Sequence, residues 1–202
     1  MRRARNIKIT GLVLAAGESR RMGVTKQLLP FGHNTILGQV IRNALESNLD
    51  EIVVVLGYQA QEIGQNISDA PVKVVVNPEF REGLSSSIKK GLSNITETSA
   101  VMILLGDQPL VGKEIINRLL AELGRGDRGI IVPVYDNIRG HPVIFTPLYR
   151  DELLALQGDV GGKEIVRAHP EDVTEVNIDS EAVICDIDDR DDYQTQLESG
   201  SL

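Results

Sequence analysis

Tryptophan is absent from this 202-residue chain, aromatic residues make up only 3%, and there is one cysteine, Cys185. A single cysteine excludes an intrachain disulfide and a cysteine metal cluster, and it suits a reducing compartment. Cys185 stands in an apolar run, so an inert buried thiol is the expectation. Positive charge is also short: 21 Lys and Arg against 29 Asp and Glu leave a net charge of −8. That balance argues against a general nucleic-acid binder, which needs a basic face. No apolar run approaches the roughly 20 residues that span a bilayer, so no membrane association is expected. Arg2, Arg3 and Arg5 could open a signal peptide, but Lys8 interrupts the next stretch and no small-residue cleavage site comes after it. The expectation is a cytoplasmic protein. With 42% hydrophobic residues, the chain can bury one sizeable core and is short for two. A single domain over 1–202 is expected, with a frayed tail at about 198–202.

What is present is organised around Ile9 to Lys26, ITGLVLAAGESRRMGVTK. The apolar run from Leu12 to Ala16 stops at Gly17, and a loop carrying Arg20, Arg21 and Lys26 comes next, broken by Gly23. A short apolar run bounded by glycine reads as a strand buried on both faces. In open α/β sheets ligands bind just beyond the carboxyl ends of strands, where this loop begins. Gly17 lets backbone N–H groups approach an anion, and the cations can neutralise phosphate oxygens. The loop therefore suits a nucleoside triphosphate, although a solvated basic loop would show the same pattern. It is neither a Walker A motif nor the dinucleotide fingerprint, because the glycine spacing fits neither. A G-x-G-x-x-G does occur from Gly124 to Gly129, but it comes after a helical pattern and precedes a strand, the reverse of the required context.

Downstream, apolar residues at helical spacing mark a helix over Thr35 to Leu45, with Asn34 or Thr35 as its cap. Glu51 to Leu56 and Val72 to Val76 read as strands around a helix from Gln59 to Ile67. Successive β-α-β units predict an α/β fold: three Rossmann-like layers, a mainly parallel sheet with helices on both faces. Asn77-Pro78 then leads to Gly83-Leu84-Ser85-Ser86-Ser87 at the start of a helix. One serine suffices for a cap, so three in a row favour a substrate contact. Ala100 to Leu105 is a further buried strand, ended by Gly106-Asp107-Gln108-Pro109. Asp107 could cap the helix over Lys113 to Leu123; beside the basic loop it is better placed to hold Mg²⁺. Strands are also expected over Gly129 to Val134 and Val143 to Phe145, flanking Arg139-Gly140-His141-Pro142, whose cation and imidazole suit an anionic substrate. Helical patterns occur at Leu148 to Leu156 and Lys163 to Ala168, around the Gly158-Asp159 loop. Two last strands are expected, Val173 to Ile178 and Ala182 to Ile187. Alternation along the second would put Asp186 and Asp188 on one face, able to complete a metal site.

These motifs together resemble a known family. The segment from Leu14 to Lys26 matches L-A-A-G-x-S-x-R-M-G-x-x-K, the signature loop of nucleotidyltransferases with the nucleotide-diphospho-sugar transferase fold. Gln27-Leu28-Leu29-Pro30, the Asn77–Ser87 segment, G-D-Q-P at Gly106, R-G-H-P at Arg139, G-D-x-G at Gly158 and D-I-D at Asp186 narrow the likeness to MobA-like enzymes, in particular the molybdenum cofactor cytidylyltransferases. The resemblance implies that Leu14, Ala15, Ala16 and Gly17 meet the nucleotide together with Gly106, and that Arg21 and Lys26 take phosphates. It implies that Asp107 and Asp188 hold Mg²⁺, with Arg21, Lys26 and Asp107 as the catalytic groups. Asn77, Gly83, Ser85, Ser86, Ser87, Arg139, His141, Asp159 and Lys163 would face a molybdopterin acceptor. Ala16 stands where relatives that use GTP carry glycine, which favours CTP. Lys163 replaces the usual arginine, and Asp189-Arg190 the usual Thr-Pro. The implied reaction moves CMP from CTP to the terminal phosphate of molybdopterin, with a xanthine dehydrogenase-type enzyme as recipient of the product. Rival implications are an isoprenoid-precursor cytidylyltransferase, a molybdopterin guanylyltransferase, a sugar-1-phosphate nucleotidyltransferase, and a non-catalytic cofactor chaperone.

Overall fold

Residues 7–126 and 128–199 are described by a computed structural model of the chain. Arg2, Arg3 and Arg5, Asp127 of the G-x-G-x-x-G run, and the expected tail from 200 onward lie outside the described residues.

The first strand, β1 (Ile9–Ala15), buries six of its seven residues. A two-strand hairpin, β2 (Pro30–Phe31) and β3 (Asn34–Thr35), leads into α1 (Ile36–Leu45). Thr35 caps that helix, its Oγ1 accepting from the Gly38 N–H at 3.1 Å. Then come β4 (Glu51–Leu56), α2 (Ala60–Asn66), β5 (Lys73–Val76), α3 (Leu84–Leu92), β6 (Ala100–Leu105) and α4 (Lys113–Arg125). The second half holds β7 (Ile130–Tyr135), β8 (Ile138–Arg139), β9 (Val143–Phe145), α5 (Arg150–Ala155), α6 (Lys163–Ala168), β10 (Val173–Asn177) and α7 (Arg190–Ser199).

Among the described residues one large sheet runs in the order β10-β7-β9-β6-β1-β4-β5, with β8 paired to β7. β1 lies parallel between β4 and β6, while β9 runs antiparallel between β6 and β7. Alternate residues of β1 enter different cores, as a period of two requires. Val13 and Ala15 pack with α1 and α4 on one face, and Leu12 and Leu14 with α3, α5 and α6 on the other. A strand buried on both faces must be apolar throughout, which is why β1 reads as an unbroken run. No helix among the described residues is long and apolar enough to cross a membrane.

The expected final strand over Ala182 to Ile187 does not form. Glu181–Val183 is a single 3-10 turn capped by Ser180, and the chain then runs irregularly to α7. His141 N–H donates to Val183 O at 2.7 Å and Ile187 N–H to Asp107 O at 3.1 Å, so single tethers replace a ladder. Of the G-x-G-x-x-G run, Gly124 and Arg125 close α4 and Gly126 is its extended C-cap.

Candidate active site

Gly106 sets the geometry. A Cβ there would come within 2.8 Å of Ala15 Cβ and 3.0 Å of Leu14 O, so the tips of β1 and β6 meet too closely for any side chain. The next residue, Asp107, is thereby brought to the loop that leaves β1. Packing does not require glycine at Gly17, where a Cβ would meet no protein atom within 4 Å. Buried Gln27 holds this loop: its Nε2 donates to Gly17 O at 3.2 Å, and its Oε1 accepts from Ser19 Oγ at the same distance. Sequence reasoning gave Gln27 no role, although it stands beside Lys26 in the signature segment.

A cleft of about 590 Å³ opens between these tips and the start of α3. One wall is Leu14, Ala15, Ala16 and Gly17 with Gly106; the other includes Gly83, Ser87 and Asp159. Arg21, Lys26, Asp107 and Asp188 line the cleft between them. Glu18, Phe80 and Arg81 also line it, and no sequence pattern assigned them there. Glu18 joins two cations across the opening, accepting from Arg81 Nε at 2.7 Å and Arg20 Nε at 2.6 Å. Those two hydrogen bonds hold its carboxyl below the usual range.

Lys26 is buried, with only 9% of its surface exposed. Its ammonium donates to Asp107 Oδ2 at 2.7 Å, Ile187 O at 2.8 Å and Asp188 Oδ1 at 3.0 Å. Burial works against the charge, but Asp107 and Asp188 outweigh it and hold the lysine pKa above its ordinary value. Arg21 Nη1 donates to the other oxygen, Asp188 Oδ2, at 3.0 Å. Asp107 does not cap α4, whose N-cap is Gly112.

Asp107, Asp186 and Asp188 each offer a carboxylate oxygen, and these lie within 4.8 Å of one another. Burial, and then the charges on Asp107 and Asp188, push the Asp186 pKa up. Asp107 Oδ1 is buried and has no hydrogen-bond partner among the protein groups. An all-oxygen set with one unsatisfied buried carboxylate oxygen fits a hard divalent cation such as Mg²⁺ or Mn²⁺. Asp186 and Asp188 reach Asp107 through the tether at Ile187 rather than by strand alternation.

Several expected substrate contacts have other positions. Asn77, Ser85 and Ser86 are buried behind the cleft wall. Asn77 Nδ2 donates to Ser86 Oγ at 2.9 Å and Ser87 Oγ at 3.1 Å, while Ser86 Oγ lies 2.8 Å from Gly83 O. Ser86 and Ser87 therefore brace the turn, and no serine side chain caps α3. Instead Asp159 Oδ1 accepts from the Leu84 N–H at 3.2 Å. Arg139 points to Glu175, 2.7 Å away, and does not line the cleft. His141 does not line the cleft; burial depresses its pKa and its Nδ1 is unpartnered. Lys163 opens α6 on the surface, outside the cleft lining. Cys185 is a free thiol that is half-buried rather than fully buried as expected, and what burial it has pushes its pKa up.

Residues 11–173 match the model of the MobA-like NTP transferase domain. The chain belongs to that family. Over 188 residues it is 28% identical to the molybdenum cofactor cytidylyltransferase of Escherichia coli K12, covering 93% of this chain and 94% of that enzyme. Nicotine blue oxidoreductase of Paenarthrobacter nicotinovorans is also 28% identical, over 189 residues, with 89% and 92% covered. Among solved structures, Rv0371c of Mycobacterium tuberculosis H37Rv matches with a TM-score of 0.85 and 31% identity over 96% of this chain and 100% of that one. The same mycobacterial protein has been solved in complex with manganese, with a TM-score of 0.82 to this chain. This MobA-like protein is thus a nucleotidyltransferase by family, with the nucleotide-diphospho-sugar transferase fold.

Proposed function

We propose that this MobA-like protein transfers CMP from CTP to the terminal phosphate of molybdopterin or the molybdenum cofactor, releasing pyrophosphate. One observation carries the reading: Lys26 and Arg21 meet Asp107 and Asp188 in a single cleft at the tips of β1 and β6. Cations beside a carboxylate cluster are what a polyphosphate and its counter-ion need together. The E. coli cytidylyltransferase, alike over nearly the whole of both chains, supports this substrate pair.

In this reading the backbone from Leu14 to Gly17 takes the base and ribose. The methyl of Ala16 narrows that wall and favours cytosine over guanine. Gly83, Ser87 and Asp159 meet the acceptor. Arg139, His141 and Lys163 stand outside the cleft and are given no part in it. An acceptor phosphate oxygen attacks the α-phosphorus in line; a P–O bond forms there, the bridge to the β-phosphate breaks, and its electron pair leaves with pyrophosphate. No protein nucleophile is needed. Lys26 and Arg21 neutralise charge that spreads over the phosphate oxygens. Held by Asp107 with Asp188 and Asp186, Mg²⁺ supplies further neutralisation when bound. The recipient of the product would be a molybdoenzyme of the xanthine dehydrogenase type.

Because a relative of equal identity is named an oxidoreductase, pyrophosphate is the readout that decides. The purified protein is mixed with Mg²⁺, molybdenum-loaded pterin and either CTP or GTP, and pyrophosphate is measured. CTP-dependent release is expected. Release with GTP alone would replace the base, and no release with either would overturn the transfer in favour of a cofactor carrier.

A further inference from the structure

Both cations that the proposed reaction assigns to phosphates are bonded to carboxylates of the proposed metal site. The Lys26 ammonium has three N–H donors, and all three are used: Asp107 Oδ2, Ile187 O and Asp188 Oδ1. Arg21 takes the remaining oxygen of Asp188. Asp188 therefore has both oxygens committed to side-chain cations, whereas Asp107 keeps one buried oxygen unpaired. Lys26 cannot turn a donor toward a phosphate without giving up one of these partners. Equally, a dication cannot take Asp188 without facing two resident positive charges at hydrogen-bond distance.

We infer that Lys26 and Arg21 act as placeholder counter-ions at Asp188, so that a divalent cation and the triphosphate enter by exchanging partners. The polyphosphate draws the two side chains off Asp188, and the freed carboxylate completes the metal site with Asp107 and Asp186. Before that exchange the site offers a metal Asp107 Oδ1 and Asp186, while Asp188 is held by the two cations. The free protein is then a poor metal binder, and metal affinity is conditional on bound phosphate. This inference rests on reading the cleft as a triphosphate site. Its test needs no turnover and no acceptor, so either can fail without the other.

The test is Mn²⁺ binding to the nucleotide-free protein, monitored by the electron paramagnetic resonance signal of the free ion. Lys26→Met is expected to bind Mn²⁺ about tenfold more tightly than the unaltered protein, because two carboxylates lose their internal counter-ion. Arg21→Met is expected to tighten binding about threefold, since Arg21 is largely exposed and holds one oxygen only. Its exposure also means that folding is not at stake, so the test survives if Lys26→Met does not fold. Arg20→Met is the control: it removes the same charge from the same loop, but Arg20 pairs with Glu18 and not with Asp188. Its Mn²⁺ affinity is expected to stay within about twofold of the unaltered protein. Unchanged or weaker binding in Arg21→Met, or in a folded Lys26→Met, overturns the exchange. So does an equal gain in Arg20→Met, which would show a general effect of net charge.

Discussion

Lys26 and Asp107 are the two residues whose removal should be felt most. One is a buried ammonium on three acceptors, and the other carries the unpaired oxygen suited to a cation. Loss of a main charge-stabilising group typically costs about a hundredfold or more in rate. Lys26→Ala and Asp107→Ala are each expected to lower turnover by at least about a hundredfold, measured as pyrophosphate release by folded variants. Near-normal rates in both would end the proposed mechanism. The sequence made these two residues legible because each stands after a strand that its apolar run already marks. Their partners were less legible. Gln27 is legible only as part of a family motif, and Glu18 and Arg81 carry no pattern of their own; their roles come from contacts with chain that is remote or folded back.

Elements fix the cleft walls, and two of them make predictions. Gly83 opens α3 at φ 102°, and a Cβ there would lie 2.5 Å from the carbonyl group of Gly158 and from Asp159 N. Backbone strain and a backbone clash coincide, so Gly83→Ala is expected to cost about 1–3 kcal/mol, read from urea unfolding. Unfolding at the midpoint of the unaltered protein would refute the packing described. Outside the cleft lining, His169 Nε2 lies 2.9 Å from Glu152 Oε2, joining the end of α6 to α5. The Glu152 hydrogen bond raises the histidine pKa above its ordinary value of about 6.5. A raised folded pKa stabilises in full below the unfolded value and fades as pH rises through the folded one. His169→Gln is therefore expected to lower the melting temperature more at about pH 5.5 than at about pH 8.5. An equal loss at both would remove the ion pair from the account. The run of three serines was only partly legible at this scale: spacing showed that they begin a helix, but not that Asn77 holds two of them from behind while Ser87 alone lines the cleft.

Among the described residues two large cores lie on the two faces of the large sheet, a small third cluster gathers Met22, Phe31, Ile36 and Ile187, and the cleft lies between α3 and the strand tips. A ligand that binds only this folded arrangement raises its stability, by about 2.7 kcal/mol at a hundred times the dissociation constant. Among the four common triphosphates with Mg²⁺, CTP is expected to give the largest rise in melting temperature. A rise with GTP alone would change the base. Sequence by itself determined the layers, the buried first strand, the cationic loop and the acid after β6, because periodicity and glycine placement are local properties. Only the tertiary structure decided that β9 inserts antiparallel between β6 and β7, and that the last acidic segment is a tether rather than a strand. It alone put the Lys26 ammonium on carboxylates 81 and 162 positions away. Contacts at such separations depend on which strands lie side by side, and no local pattern carries that order.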